Sequence, residues 1–208
     1  MGAIEDWPAF KKWDRNYLRS KLKSTEVSVN ITPNGLGDAI LDEDKFVMPM
    51  EKRMKFEDFM NEFEEKKDKR VLYLSHQNDS FRTQFNALKD DVPDSVHFAT
   101  EAFGTKPDAV NLWIGDERSV TSLHKDHYEN MYAVISGEKH FTLLPPSDVF
   151  GLYERDFPSY QYANVKSRED YEIMSCDSST SWIPVDPKRP DLKRFPLYTH
   201  ASPVECIV

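Results

Sequence analysis

Two side chains in the second half of the chain have the type and spacing to share an ion. They are His124 and Asp126, in Thr121-Ser122-Leu123-His124-Lys125-Asp126. On an extended segment residues i and i+2 project to the same side, so an imidazole nitrogen and a carboxylate oxygen can face one metal. That pair is two thirds of the facial triad of non-haem Fe(II) oxygenases, which leaves positions open for a bidentate 2-oxo acid and O2. The pair alone is not specific: among six histidines and 36 acidic residues, a chance His-x-Asp in a surface turn is common. Its surroundings add weight. Thr121 precedes His124 by three residues, and Lys139 opens the strand after next. A dianionic co-substrate needs a fixed cation at its far carboxylate, and a lysine beside a threonine hydroxyl supplies charge and orientation. A solvated strand-end lysine is the competing reading of Lys139.

The elements that must position these residues can be read from periodicity. Trp7 to Trp13 and Asn16 to Leu22 read as short helices, and Thr25 to Ile31 alternates as a half-buried strand ended by the turn Thr32-Pro33-Asn34-Gly35. Phe56, Phe59, Met60 and Phe63 make one apolar helix face, which is core packing. Val71 to Ser75 reads as a strand, and Phe81, Phe85 and Leu88 as another helix. From Ala109 the texture turns to β. Val110–Gly115, Met131–Ile135 and Lys139–Leu144 are predicted strands, with Gly137 in the turn between the last two and Pro145-Pro146 as a stop. From Val149 to Pro196 there is no strong period, and this stretch is expected to wrap over the sheet.

A length of 208 residues suits one domain, and 39% hydrophobic residues suit a packed core. The net charge of -9 fits a basic partner better than a nucleic acid or an anionic membrane. Cys176 and Cys206 form no CxxC or zinc spacing, which points to a reducing compartment, the cytosol or nucleus. No apolar run approaches a bilayer span. Oligomeric state has no signature in the sequence.

The runs Asn111-Leu112-Trp113-Ile114-Gly115, Val120 to Asn130, Ser136-Gly137-Glu138-Lys139-His140-Phe141 and Pro145-Pro146-Ser147-Asp148 together resemble the JmjC oxygenases. Trp182 to Pro187, Pro190-Asp191 and Ser24 to Val29 extend the likeness over nearly the whole chain. The resemblance implies a mainly β fold with flanking helices, a double-stranded β-helix of the cupin or jelly-roll kind. It implies one JmjC domain over residues 1–208, with a mixed α/β lead-in over 1–108 and the first part of the β-helix core, carrying a wrapping insert, over 109–208. Fe(II), 2-oxoglutarate and O2 are the implied cofactors. His124 and Asp126 would be iron ligands. Tyr73, Thr121 and Lys139 would hold the distal carboxylate of 2-oxoglutarate, with Asn130 beside the co-substrate. His127 and His140 would be supporting or packing residues, and Asn111 structural. The implied activity is hydroxylation of a lysine carbon in a protein, expected to be a translation-associated GTPase.

In the family the third ligand is a distal histidine in a late strand, which the resemblance places after Val208; it also places an opening helical lead-in before Met1. The domain is therefore expected to be incomplete at both ends and to lack its final strands. His200 is the one local substitute, in a stretch that supplies no ligand in the family. Three other readings stay open: a binding-only fragment, an endopeptidase, and a cupin-type metal enzyme that uses no 2-oxo acid. No HExxH is present, and neither Cys176 nor Cys206 is marked as a nucleophile, which disfavours the second. Lys139 with Thr121 argues against the third.

Overall fold

Glu26–Thr32 (β1) runs through the centre of the larger core, because its apolar residues Val27, Val29 and Ile31 are buried and its neighbours on both sides are strands. A computed structural model describes residues 4–65 and 70–208. Before β1 come the helices α1 (Pro8–Lys12) and α2 (Arg15–Leu22), the second capped by Asp14, whose side chain accepts from Tyr17 N. After it come β2 (Leu36–Gly37), β3 (Ala39–Leu41), β4 (Lys45–Met48), β5 (Met50–Lys55), α3 (Phe56–Glu65) and β6 (Val71–Tyr73). Sheet one has the order β5-β1-β6, antiparallel throughout. Phe56, Phe59 and Met60 of α3 bury against it, so the helical stripe seen in the sequence is core. Burying each such side chain contributes roughly 1.5–3 kcal/mol.

The middle of the chain holds α4 (Ser80–Thr83), a 3-10 turn (Asn86–Asp91) and α5 (His97–Phe103). Phe81, Phe85 and Leu88 are buried as expected, although the predicted helix is split into two short pieces. Asp91, only 2% exposed, ties this region to the first helices. It accepts from Lys12 Nζ at 2.7 Å, Trp13 Nε1 at 3.0 Å and Tyr17 Oη at 2.6 Å.

The second half contributes β7 (Val120–Thr121), β8 (His140–Leu143), β9 (Arg155–Val165), β10 (Tyr171–Trp182) and β11 (Val204–Ile207). A four-stranded sheet has the order β10-β9-β4-β3, and two smaller sheets pair β2 with β7 and β8 with β11. Mainly antiparallel sheets with helices outside are the mainly β, jelly-roll architecture expected. A smaller apolar cluster of Leu152, Ile183, Val185, Phe195 and Tyr198 packs beneath the later strands.

Three expectations for single elements change. Val110–Gly115 is extended but forms no ladder beyond one bridge, Leu74 to Ile114. Its polar backbone groups go to the start of α4 instead: Asp79 Oδ1 accepts from Val110 N at 2.8 Å, and Ser80 Oγ from Leu112 N at 3.3 Å. Asn111 serves the same junction, accepting from Ser80 N at 3.0 Å. Met131–Ile135 is not a strand; Tyr132 packs there between Trp113 and Phe141, with centroids at 5.3 and 5.0 Å. The stretch after Val149, far from merely wrapping the sheet, contains its longest hairpin, β9–β10, and β9 pairs in parallel with β4.

Candidate metal and co-substrate site

β7 brings the His124 segment into place. It is only two residues long, and it is held by parallel pairing of Leu36 with Val120 and Gly37 with Thr121. Gly35, with φ at 89°, allows this: a Cβ there would fall 1.9 Å from the Arg118 carbonyl oxygen. Ser122 then acts as a fastener. Its hydroxyl donates to the Asp38 carbonyl at 2.5 Å and accepts from Trp182 Nε1 at 2.9 Å. Trp182, at the end of β10, stacks flat on the His124 ring with centroids 5.8 Å apart and planes 4° apart.

His124 and Asp126 meet on one side of the segment, with Nε2 and Oδ1 3.5 Å apart. Two donors that each lie about 2.0–2.2 Å from one ion are at most ~4.4 Å apart, so this spacing fits a shared metal. His124 Nδ1 lies 2.8 Å from the Ser122 carbonyl oxygen. A carbonyl only accepts, so Nδ1 carries the proton and Nε2 presents its lone pair, as a metal ligand must. Asn130 Nδ2 donates to the other oxygen of Asp126 at 2.8 Å, which turns Oδ1 toward His124.

Of the other residues assigned to the co-substrate, Lys139 is the one that lies at Tyr73. Lys139 Nζ lies 5.6 Å from the centre of the Tyr73 ring, within cation–π range. The Tyr73 and Tyr132 hydroxyls lie within reach of each other, and burial pushes both phenols up. Burial pushes the Lys139 ammonium down, and no described residue offers it a counter-ion. Gly115 lets Tyr73 close in, since a Cβ there would lie 2.8 Å from the ring. Nearby, Ser119 Oγ is buried with no hydrogen-bond partner. Thr121 is exposed on β7 and makes no side-chain hydrogen bond among the described residues.

Among the described residues no three His, Cys, Asp or Glu side chains converge on one point, so His200, exposed in the 3-10 turn Pro196–His200, does not join His124 and Asp126. His140 faces Glu138 at 3.5 Å, and His127 is exposed. Cys176 and Cys206 are free thiols. Sequence reasoning gave no role to Ser122, Trp182, Tyr132 or Asp38. Trp182 belonged to a recognised run, but nothing in one sequence says that its ring covers His124.

A profile for the cupin-like domain matches residues 1–208. The chain is 43% identical to the human "Bifunctional peptidase and (3S)-lysyl hydroxylase JMJD7", over 99% of this chain and 66% of that protein. It is 38% identical to "JmjC domain-containing protein E" of Dictyostelium discoideum, over 98% and 65% of the two chains. To "Lysine-specific demethylase JMJ32" of Arabidopsis thaliana it is 40% identical, over 99% and 64%. The chain thus spans about two thirds of the length of these curated relatives. It belongs to the cupin-like JmjC domain family.

Proposed function

We propose that the protein is an Fe(II)- and 2-oxoglutarate-dependent hydroxylase acting on a lysine side chain of a partner protein. Enzymes of the JmjC family use Fe(II) and 2-oxoglutarate. With O2, that pair supplies oxidation of a C–H bond, coupled to decarboxylation of the co-substrate to succinate. One observation carries the reading: Lys139 is a half-buried cation with no counter-ion among the described residues, its Nζ 5.6 Å from the centre of the Tyr73 ring. A desolvated cation is costly unless an anion completes it, and the far carboxylate of a 2-oxo diacid would do so. His124 Nε2 and Asp126 Oδ1 would hold the iron, with Ser122 and Asn130 fixing their orientation. Thr121, on the strand that leads to His124, is assigned to the co-substrate by resemblance. A third protein ligand is proposed to come from outside residues 1–208.

The choice of lysine hydroxylation rests on the human relative's name and on the motif resemblance, and the net charge of -9 suits a basic partner. We place the partner among translation-associated GTPases and the protein in the cytosol or nucleus. Demethylation, in the name of the Arabidopsis relative, would use the same residues on an N-methyl group. The test uses the full protein with Fe(II), 2-oxoglutarate and lysine peptides from such GTPases. The expected products are succinate and a peptide heavier by one oxygen, both lost in His124→Ala. Loss of a methylene from methylated peptides alone would make it a demethylase, and peptide cleavage surviving His124→Ala would make it a peptidase.

A further inference from the structure

The lone pair that His124 offers through Nε2 lies in the plane of its ring, so rotation about the Cβ–Cγ bond decides where it points. For a histidine that rotation is broad and roughly two-fold, and contacts have to set it. One contact comes from the segment itself, Nδ1 to the Ser122 carbonyl at 2.8 Å. The segment has little support of its own: β7 pairs over two residues, and the His124 side chain is 33% exposed. Trp182 supplies two further links. Its indole lies parallel to the imidazole, with planes 4° and centroids 5.8 Å apart, in the stacking distance that aromatic rings favour. Its Nε1–H donates at 2.9 Å to the hydroxyl of Ser122, the residue whose carbonyl takes the His124 Nδ1 proton.

Trp182 is itself fixed from elsewhere. It closes β10, where it pairs with Arg155 of β9, and its ring packs on the buried Phe46 of β4 with centroids 4.7 Å apart. An indole N–H only donates, so Trp182 is no metal ligand; it ties the metal-facing segment to the four-stranded sheet. We propose that Trp182 is a positioning residue for the metal ligand His124: its stacked ring sets the imidazole plane, and its N–H holds Ser122, so that Nε2 stays facing Asp126 Oδ1. The assignment rests on the metal reading above. It makes metal affinity depend on a side chain at the far end of β10 that touches no metal.

Two measurements on the full protein keep positioning and metal binding apart. In the metal-free protein, the ring current of the indole shifts the His124 ring protons, which NMR reads without any metal. A Co(II) titration, followed by calorimetry and tryptophan fluorescence, reads the metal. Trp182→Leu should remove the ring-current shift and weaken Co(II) binding by about 10–100-fold, the range for losing a group that orients a metal ligand. Trp182→Phe keeps a flat face without the N–H and should recover part of that affinity. Part of the wild-type quenching by Co(II) should vanish in both variants, because the indole lies against the ligand. Ser122→Ala leaves the indole in place and breaks the second link, so it too should weaken Co(II) binding; it carries the test if the Trp182 variants fail to fold. Equal losses in the leucine and phenylalanine variants, matched by equal falls in melting temperature, would mark Trp182 as packing alone and overturn the assignment. Co(II) binding lost in His124→Ala but kept in every Trp182 and Ser122 variant sinks the assignment by itself. Binding kept in His124→Ala as well sinks the metal reading along with it.

Discussion

Lys139 must be protonated to hold a carboxylate, and burial lowers its pKa in the free protein. Two effects of opposite sign follow. Without an anion, the folded state disfavours the charged lysine, so stability rises with pH between the folded and unfolded pKa values. Co-substrate affinity instead falls as pH rises through the folded value, which lies below the ordinary 10.5. Burial also pushes up the phenol of Tyr73, whose ring lies by the ammonium, and that of its neighbour Tyr132. Lys139→Ala should weaken 2-oxoglutarate binding by about 1.5–3 kcal/mol, the range for a hydrogen bond to a charged group. A calorimetric titration across pH reads both effects; an alanine variant with wild-type affinity would remove Lys139 from the site. At this scale the sequence was legible where chemistry sits in the residue type. His124 lies by Asp126, Asn130 donates to Asp126, and Lys139 lies by the Tyr73 ring. Thr121 makes no side-chain hydrogen bond among the described residues, and the placing of Ser122 and Tyr132 follows from geometry that no spacing encodes.

Elements were legible where one face is apolar and illegible where pairing alone makes the element. The stripe of α3 and the alternation of β1 announce themselves because burial demands them. β10 does not: its residues are exposed or half-buried and mostly polar, and it is held by its ladder with β9. β9 hides behind Pro158 and the polar residues set between Tyr160 and Tyr162 and at its start. Val110–Gly115 misled in the other direction, because apolar side chains there serve a core while the backbone bonds to the start of α4. Two elements carry predictions. Gly35→Ala forces a Cβ into the Arg118 carbonyl and breaks the β2–β7 pair. It should cost at least 1–3 kcal/mol and reduce metal affinity through the displaced His124 segment; chemical denaturation and a metal titration read the two, and a variant with unchanged values for both would show that β7 does not position the site. Asp91 joins α1, α2 and the 3-10 turn after α4. Burial alone would raise its pKa, but hydrogen bonds from Lys12, Tyr17 and Trp13 outweigh that and lower it. Its contribution is therefore complete above the unfolded carboxylate value of 3.8 and is lost as pH falls through the lower folded one. Asp91→Ala should destabilise the protein by roughly 2–3 kcal/mol at neutral pH, with a smaller difference in acid; equal melting temperatures at pH 7 would refute the role.

For the molecule as a whole, residues 1–208 place the His124–Asp126 pair and the half-buried Lys139 on one cupin-like fold. The fold class was readable because motif order, not any single motif, carried it. The pairing of β4 with β9 and β2 with β7 was not, since both join segments more than 80 residues apart and neither has a matched sequence signal. Those pairings join the two halves of the candidate site: the first half of the chain supplies Tyr73 and the strand that holds β7, and the second half supplies His124, Asp126 and Lys139. The central claim is that metal and 2-oxoglutarate occupy one composite site. It is tested most directly by titrating 2-oxoglutarate into the full protein with and without Mn(II), in the wild type and in His124→Ala. The account predicts that Mn(II) tightens 2-oxoglutarate binding at least tenfold in the wild type and has no effect in the variant. Equal 2-oxoglutarate affinity in all four measurements would contradict it.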